Sequence, residues 1–226
     1  MFSSLVFISI FIAVLFILTE ASSAIANFVN APSSQLLFFQ TAGQGLSFFV
    51  APIVYLFLYK KMRIAELFNY LGFGVKSFKP MLIGIGLIIF AIVMMISLVS
   101  TVIGSITSKE ISTNTNELFN NAPLWFFVFA AVLEPIFEET LFRGIMIKSM
   151  SKLPLKLGIF VSAFLFAMGH LAYNSTFEIE VIAAFIFGVI AGYVFDQTDS
   201  LYPSITAHIL VNTIGVAALL IIPLFI

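Results

Sequence analysis

EPIFEETLFRG, Glu134 to Gly144, sets three carboxylates and an arginine into an otherwise apolar pattern. The chain around it has 226 residues, 61% of them hydrophobic and 9% charged, with 28 Phe and a mean hydropathy of +1.15. This composition lies outside the soluble globular range and belongs to multispanning membrane proteins. A charged side chain at bilayer depth costs about 2.5 kcal/mol or more on insertion scales, so it normally faces a protein interior or a wet cavity. The stretch therefore decides the fold, a helical bundle with something to bury, and marks where chemistry would be found.

The bulk numbers exclude several function classes. There is no Cys, which removes disulfides, thiolate metal sites and a cysteine nucleophile. A net charge of -1 gives no nucleic-acid footprint. No long polar block and no repeat interrupts the chain, which reads as one integral membrane domain over 1–226, with its motif-bearing core at about 123–215.

A transmembrane helix needs about 20 apolar residues. The polar breaks leave seven such stretches, at about 2–19, 36–59, 80–106, 123–150, 157–173, 181–195 and 201–222. The expected fold class is therefore all-α, a polytopic transmembrane bundle of about seven spans. Lys60, Lys61, Arg63, Lys76, Lys79, Lys148, Lys152 and Lys156 fall on alternate connections, while Lys109 lies on the other side. By the positive-inside rule this predicts a cytoplasmic N-terminus and an outer C-terminus. AIA at Ala24 to Ala26 resembles a signal-peptide cleavage site, but the segment before it has no Lys or Arg, so a retained helix is expected. Gly188 and Gly192 make a small-xxx-small pair suited to helix packing. The segment AELFNYLGFGVKSFK, 65–79, suits a helix or turn lying at the membrane interface.

Helical spacing sorts the charges of the opening stretch. Glu139 and Arg143 are four apart, acid first, and should pair on one face. Glu138 sits about 100° from Glu139 and about 140° from Arg143 around the axis, so that arginine does not easily neutralise it. Glu134 shares the Glu138 face. A buried ion pair that orders the bundle accounts for Glu139 and Arg143 without chemistry. It leaves Glu138 unexplained.

The two histidines, His170 in FAMGH and His208 in HILVN, both fall inside predicted spans. Either alone reads as a hydrogen-bonded core residue. Asn212 lies four residues after His208, so the two could present donors to one point, as an oxyanion site requires. By residue count His170 lies nearer the outer end of its span than Glu138 does, and convergence of the two needs a tilted helix. There is no GxSxG elbow and no HExxH helix, and Asp196 and Asp199 lie in a polar turn outside the spans. What is left is water activated by glutamate and histidine, with or without a metal.

EETLFR fits an EExxxR motif, FAMGH an FxxxH motif and HILVN an HxxxN motif, in that order on successive helices. On these motifs the chain resembles the CPBP family, the CAAX endopeptidase and bacteriocin-processing (Abi) intramembrane proteases related to the Ras-converting CAAX endopeptidase. The resemblance implies that Glu138 and His170 activate water, that His208 and Asn212 stabilise the oxyanion, and that Glu139 and Arg143 hold the site together, with Phe166 as packing. It also raises zinc, since family members are commonly labelled metalloproteases and two His with one Glu (Glu138, His170 and His208) make a known zinc set. A metal-independent glutamate/histidine site is slightly preferred, with zinc as the alternative. The compact chain is more similar to the bacterial branch, which implies a bacterial cell membrane and a peptide or membrane-protein substrate: a signal peptide, a bacteriocin precursor or another membrane protein, without a prenyl group. Two other classes compete. A non-enzymatic bacteriocin-immunity or partner-binding protein on the same fold has no chemical need for the full residue set, and a proton-coupled transporter would call for broken helices or an inverted repeat.

Overall fold

A computed structural model describes residues 2–74, 79, 82–84, 86, 87, 90, 93, 122–173 and 179–221. Among the described residues every regular element is helical. The predicted span at 80–106 falls mostly outside the described residues, as do Lys76 and Lys109.

The first helix, α1, runs over Phe2–Phe28, well beyond the predicted end near Thr19. Its polar residues do not stop it because their groups are satisfied locally: the Thr19 hydroxyl donates to the Leu15 carbonyl (2.8 Å) and the Ser23 hydroxyl to that of Thr19 (3.1 Å). After a 3-10 turn at Ser33–Gln35, helix α2 covers Leu36–Val54 and continues as a π-helical turn at Tyr55–Tyr59. α1 lies along α2, and Gly43 sets the approach: a Cβ there would fall 2.6 Å from the Leu18 carbonyl oxygen. The outer face of α1, with Ile8, Ile12, Phe16 and Ile17 each at least half exposed, presents apolar surface to the surroundings.

A short amphipathic helix, α3 (Ile64–Leu71), follows, burying Leu67 and Leu71. It ends at Gly72, whose φ of +100° is a conformation that a side chain would strain.

EPIFEETLFRG lies on α4, a continuous helical run over 124–147. It alternates α (Leu124–Val128), π (Phe129–Leu133), α (Glu134–Glu139) and π (Thr140–Ile147) turns. Pro135 explains the first π segment. Proline has no N–H to continue an α ladder, and the Glu134 N–H bonds to the Phe129 carbonyl five residues back. Helices α5 (Leu157–Tyr173), α6 (Ile179–Thr198) and α7 (Tyr202–Ile221) complete the chain. Gly188 and Gly192 of α6 press on Ala163 and Ile159 of α5, where an added Cβ would come within 2.9 Å and 2.8 Å. α4 touches α2, α3, α5, α6 and α7, so it is the axis of the bundle.

Three helical runs, Leu5–Phe28, Ser33–Tyr59 and Val181–Thr198, are long and apolar enough to cross a membrane, and Leu157–His170 is a shorter apolar helix. Those lengths and compositions make the chain an integral membrane protein. The end of α4, the end of α3 and the α6–α7 turn are tied together at one end of the bundle. Lys148 pairs with Asp199 (2.5 Å) and donates to the Tyr70 carbonyl, Lys156 pairs with Asp196 (2.5 Å), and the Leu201 N–H bonds to the Gly72 carbonyl (2.9 Å). These lysines belong to the basic connections that the sequence assigns to one side.

Candidate active site

The π–α–π construction of α4 aims its charges inward. Glu139 and Arg143 are fully buried, and Arg143 Nη1 stands 2.9 Å from Glu139 Oε1. That contact is too oblique to be a hydrogen bond, and the remaining guanidinium nitrogens also lack one. Aromatic faces compensate: the guanidinium carbon lies 4.5 Å from the Phe166 ring centre and 5.6 Å from that of Phe187.

Glu139 has a second partner. His208 Nδ1 is 3.1 Å from the same Oε1. The other ring nitrogen, Nε2, points to the neighbouring acid and stands 3.5 Å from Glu138 Oε2. Arg143, Glu139, His208 and Glu138 thus form one chain of contacts, in which the arginine is used on Glu139 and the histidine bridges the two acids. The Glu138 side chain keeps 14% exposure against 0% for Glu139. Ser204, one turn before His208, is buried beside Glu139, and its hydroxyl donates to the Leu201 carbonyl (3.1 Å).

His170 enters through an aromatic ring. Its Nδ1 is 3.1 Å from the Phe166 carbonyl of its own helix, so an N–H at Nδ1 is donated there and Nε2 is left available as a lone pair. The Phe166 ring centre lies 4.6 Å from the His170 ring and 5.6 Å from the His208 ring. Phe166 therefore separates the two histidines while covering Arg143. Its motif position had suggested simple packing, but every charged helix of the cluster meets its ring.

Asn212 is placed by a backbone defect. The Glu134 N–H is taken by the Phe129 carbonyl, and Pro135 has no N–H, so the Ala130 carbonyl has lost both neighbours that could serve it within the helix. Asn212 Nδ2 donates to it at 3.0 Å. The side chain that the motif assigns to an oxyanion site is thus also the cap of the first π turn. The sequence contained this signal, a proline just before EE and an asparagine one turn after a histidine, but nothing in it linked the two.

Glu134, on the Glu138 face, has its Oε1 3.9 Å from where a Cβ at Gly45 would stand; the Phe129 ring fills most of that space, at 2.9 Å. Among the described residues no group of three or more His, Asp or Glu side chains is arranged to hold a metal ion. Each histidine has its Nδ1 engaged, His170 with the Phe166 carbonyl and His208 with Glu139, the arrangement that fixes the ring and turns Nε2 towards water, substrate or a metal ion.

The fold and the cluster together define a polytopic helical membrane protein with a buried acid–arginine–histidine centre. Residues 120–214 match the model of the family described as type II CAAX prenyl endopeptidase Rce1-like. The match spans all three motifs and is consistent with membership of the CPBP family. Neither a curated protein nor a solved structure matches the chain.

Proposed function

We propose that the chain is an intramembrane endopeptidase that hydrolyses a peptide bond at membrane depth, with Glu138 as general base. The observation that supports this most is the division between adjacent glutamates: Arg143 is engaged by Glu139, while Glu138 retains partial exposure and has the His208 Nε2 nitrogen 3.5 Å away. A buried pair serves the fold, and the leftover acid serves chemistry.

In this reading Glu138 and His170 take a proton from water as its oxygen adds to the scissile carbonyl carbon. The carbonyl π electrons move to oxygen, and the oxyanion is met by the second N–H of Asn212 Nδ2 and by an Nε2–H of His208, which carries a proton on both ring nitrogens in this step. Collapse of the tetrahedral intermediate breaks the C–N bond, and the proton held by Glu138 passes to the leaving amine. Glu139 is a positioning residue: accepting from His208 Nδ1–H, it leaves Nε2 facing the reacting centre. No step is routed through a metal.

The reading includes one membrane domain over 1–226, seven spans, and the orientation given by the basic connections, with the N-terminus cytoplasmic and the C-terminus outside a bacterial cell membrane. The substrate class is a membrane-bound peptide without a prenyl group, such as a signal peptide, a bacteriocin precursor or a segment of a membrane protein. Proteoliposomes holding wild type or Glu138→Gln, supplied with a library of membrane-anchored peptides, test it. Wild type should cleave, with turnover within about twofold after chelator treatment, and Glu138→Gln should not. Turnover retained by a folded Glu138→Gln protein would sink the proposal.

A further inference from the structure

The turn leading from α2 into α3 encloses an apolar groove of about 440 Å³. Ile53, Val54, Phe57 and Leu58 form one wall and Ile64 and Phe68 the other, with no polar side chain among its lining residues. Phe57, Leu58 and Ile64 are 50%, 53% and 66% exposed, so the groove opens outward from the bundle.

Its chemistry changes abruptly at one end. The two walls are joined by 60–63, which the Lys60 N–H to Tyr55 carbonyl (3.3 Å) and Met62 N–H to Leu56 carbonyl (3.2 Å) bonds fold back against α2. That joint carries Lys60, Lys61 and Arg63, all exposed. Arg63 is neutralised by Glu66 at 2.5 Å, as Lys148 is by Asp199 and Lys156 by Asp196 at the same end of the bundle. Among the described residues Lys60 and Lys61 face no carboxylate. The joint between the two walls of a purely apolar slot therefore carries two exposed lysines with no carboxylate partner among the described residues, the Lys60 ammonium lying 5.7 Å from the centre of the Tyr59 ring.

We propose that this groove binds an anionic phospholipid, one acyl chain lying between the α2 and α3 walls and the phosphate resting by Lys60 and Lys61. The complementarity is of two kinds at once: hydrocarbon against hydrocarbon along the slot, and phosphate against lysine at the joint. A zwitterionic lipid satisfies the first and, with no net charge, gains little from the second. The site stands whatever reaction the chain performs.

Native mass spectrometry of the full purified chain, titrated with phosphatidylglycerol and phosphatidylcholine of matched acyl chains, tests this. Wild type should prefer the anionic lipid about twenty-five-fold, at about fivefold for each of the two lysines. Lys60→Gln with Lys61→Gln should bring the ratio close to one, while Lys152→Gln, an exposed basic residue outside the groove, should leave it unchanged. Phe57→Ala with Ile64→Ala should weaken both lipids and keep the ratio. Equal binding of the two lipids by wild type, or an undiminished preference in the double lysine variant, would overturn the proposal.

Discussion

Arg143 with Glu139 and Arg63 with Glu66 are the same chemical pair in two solvents. The first joins residues four apart on α4 and has side-chain exposures of 1% and 0%; the second joins residues three apart at the start of α3, with 86% and 46%. The exposed pair has the better local geometry: the Arg63 guanidinium donates twice to Glu66 Oε1, and the Arg63 backbone N–H donates to Oε2 (3.2 Å), so that Glu66 caps the start of α3. The buried pair lacks a proper hydrogen bond, yet removing half of it would strand a charge away from water, which is the costly event. Hydrogen bonds count for less than the solvent that stands ready to replace them. The same rule separates Glu139, whose neutralisation holds α4 in the bundle, from Glu138 beside it.

The comparison breaks most severely at Arg143. Arg143→Ala leaves the buried Glu139 charge with only its His208 contact and removes the cation from between Phe166 and Phe187; a loss of about 3–5 kcal/mol is expected in reversible unfolding in detergent. Replacing both partners by apolar residues, Glu139→Leu with Arg143→Met, should recover much of that stability while turnover stays absent. If the double variant is no more stable than Arg143→Ala, the stranded charge is not the cause.

Next in size is the Asn212 cap. Asn212→Ala leaves the Ala130 carbonyl without a donor at a cost of about 1–3 kcal/mol. Pro135→Ala restores an N–H four and five residues from the carbonyls that the π turn displaced, so in that background Asn212→Ala should cost less stability. Turnover should fall in both backgrounds if Asn212 also meets the oxyanion. A thermodynamic cycle over the four proteins separates capping from catalysis.

A steric prediction follows in magnitude. Gly43→Ala places a Cβ 2.6 Å from the Leu18 carbonyl oxygen, and α1 must shift from α2, with an expected loss of about 1–3 kcal/mol. Thermal unfolding in detergent would register it, whereas Gly86, with no described residue within 4 Å of its would-be Cβ, should accept alanine without loss.

The smallest effect belongs to the exposed pair. Arg63 holds the Glu66 carboxyl below its usual range, chiefly through the side-chain hydrogen bond. A depressed carboxylate contributes stability that is present above its unfolded-state value and lost as pH falls through its folded-state value. Glu66→Gln should therefore differ little from wild type at neutral pH, and that small difference should vanish on acidification through the lower carboxylate range. A loss at neutral pH as large as that of Arg143→Ala would contradict the solvent argument.

Much of this was legible in the sequence for identifiable reasons. Charge is so costly in a bilayer that EPIFEETLFRG had to lie at the centre of the bundle, and four-residue spacing was enough to pair Glu139 with Arg143 and set Glu138 apart. The contact of His208 with both glutamates was not legible, because it joins α7 to α4 across long separation. Nor was the π turn before Pro135, whose backbone shift gives Asn212 its carbonyl, nor the position of Phe166 between the histidines. Helix ends were the weakest reading: Glu20 and the serines of α1 look like a boundary, but hydroxyls that bond to their own helix carry it on to Phe28.

The most direct test of the account compares Glu138→Gln with Glu139→Gln, each measured for cleavage in proteoliposomes and for unfolding in detergent. The division of labour predicts that Glu138→Gln unfolds like wild type while turnover falls by about 10²–10⁴, and that Glu139→Gln loses about 3–5 kcal/mol of stability by stranding Arg143. Equal stability losses from the two substitutions, or cleavage that survives in Glu138→Gln, would contradict it.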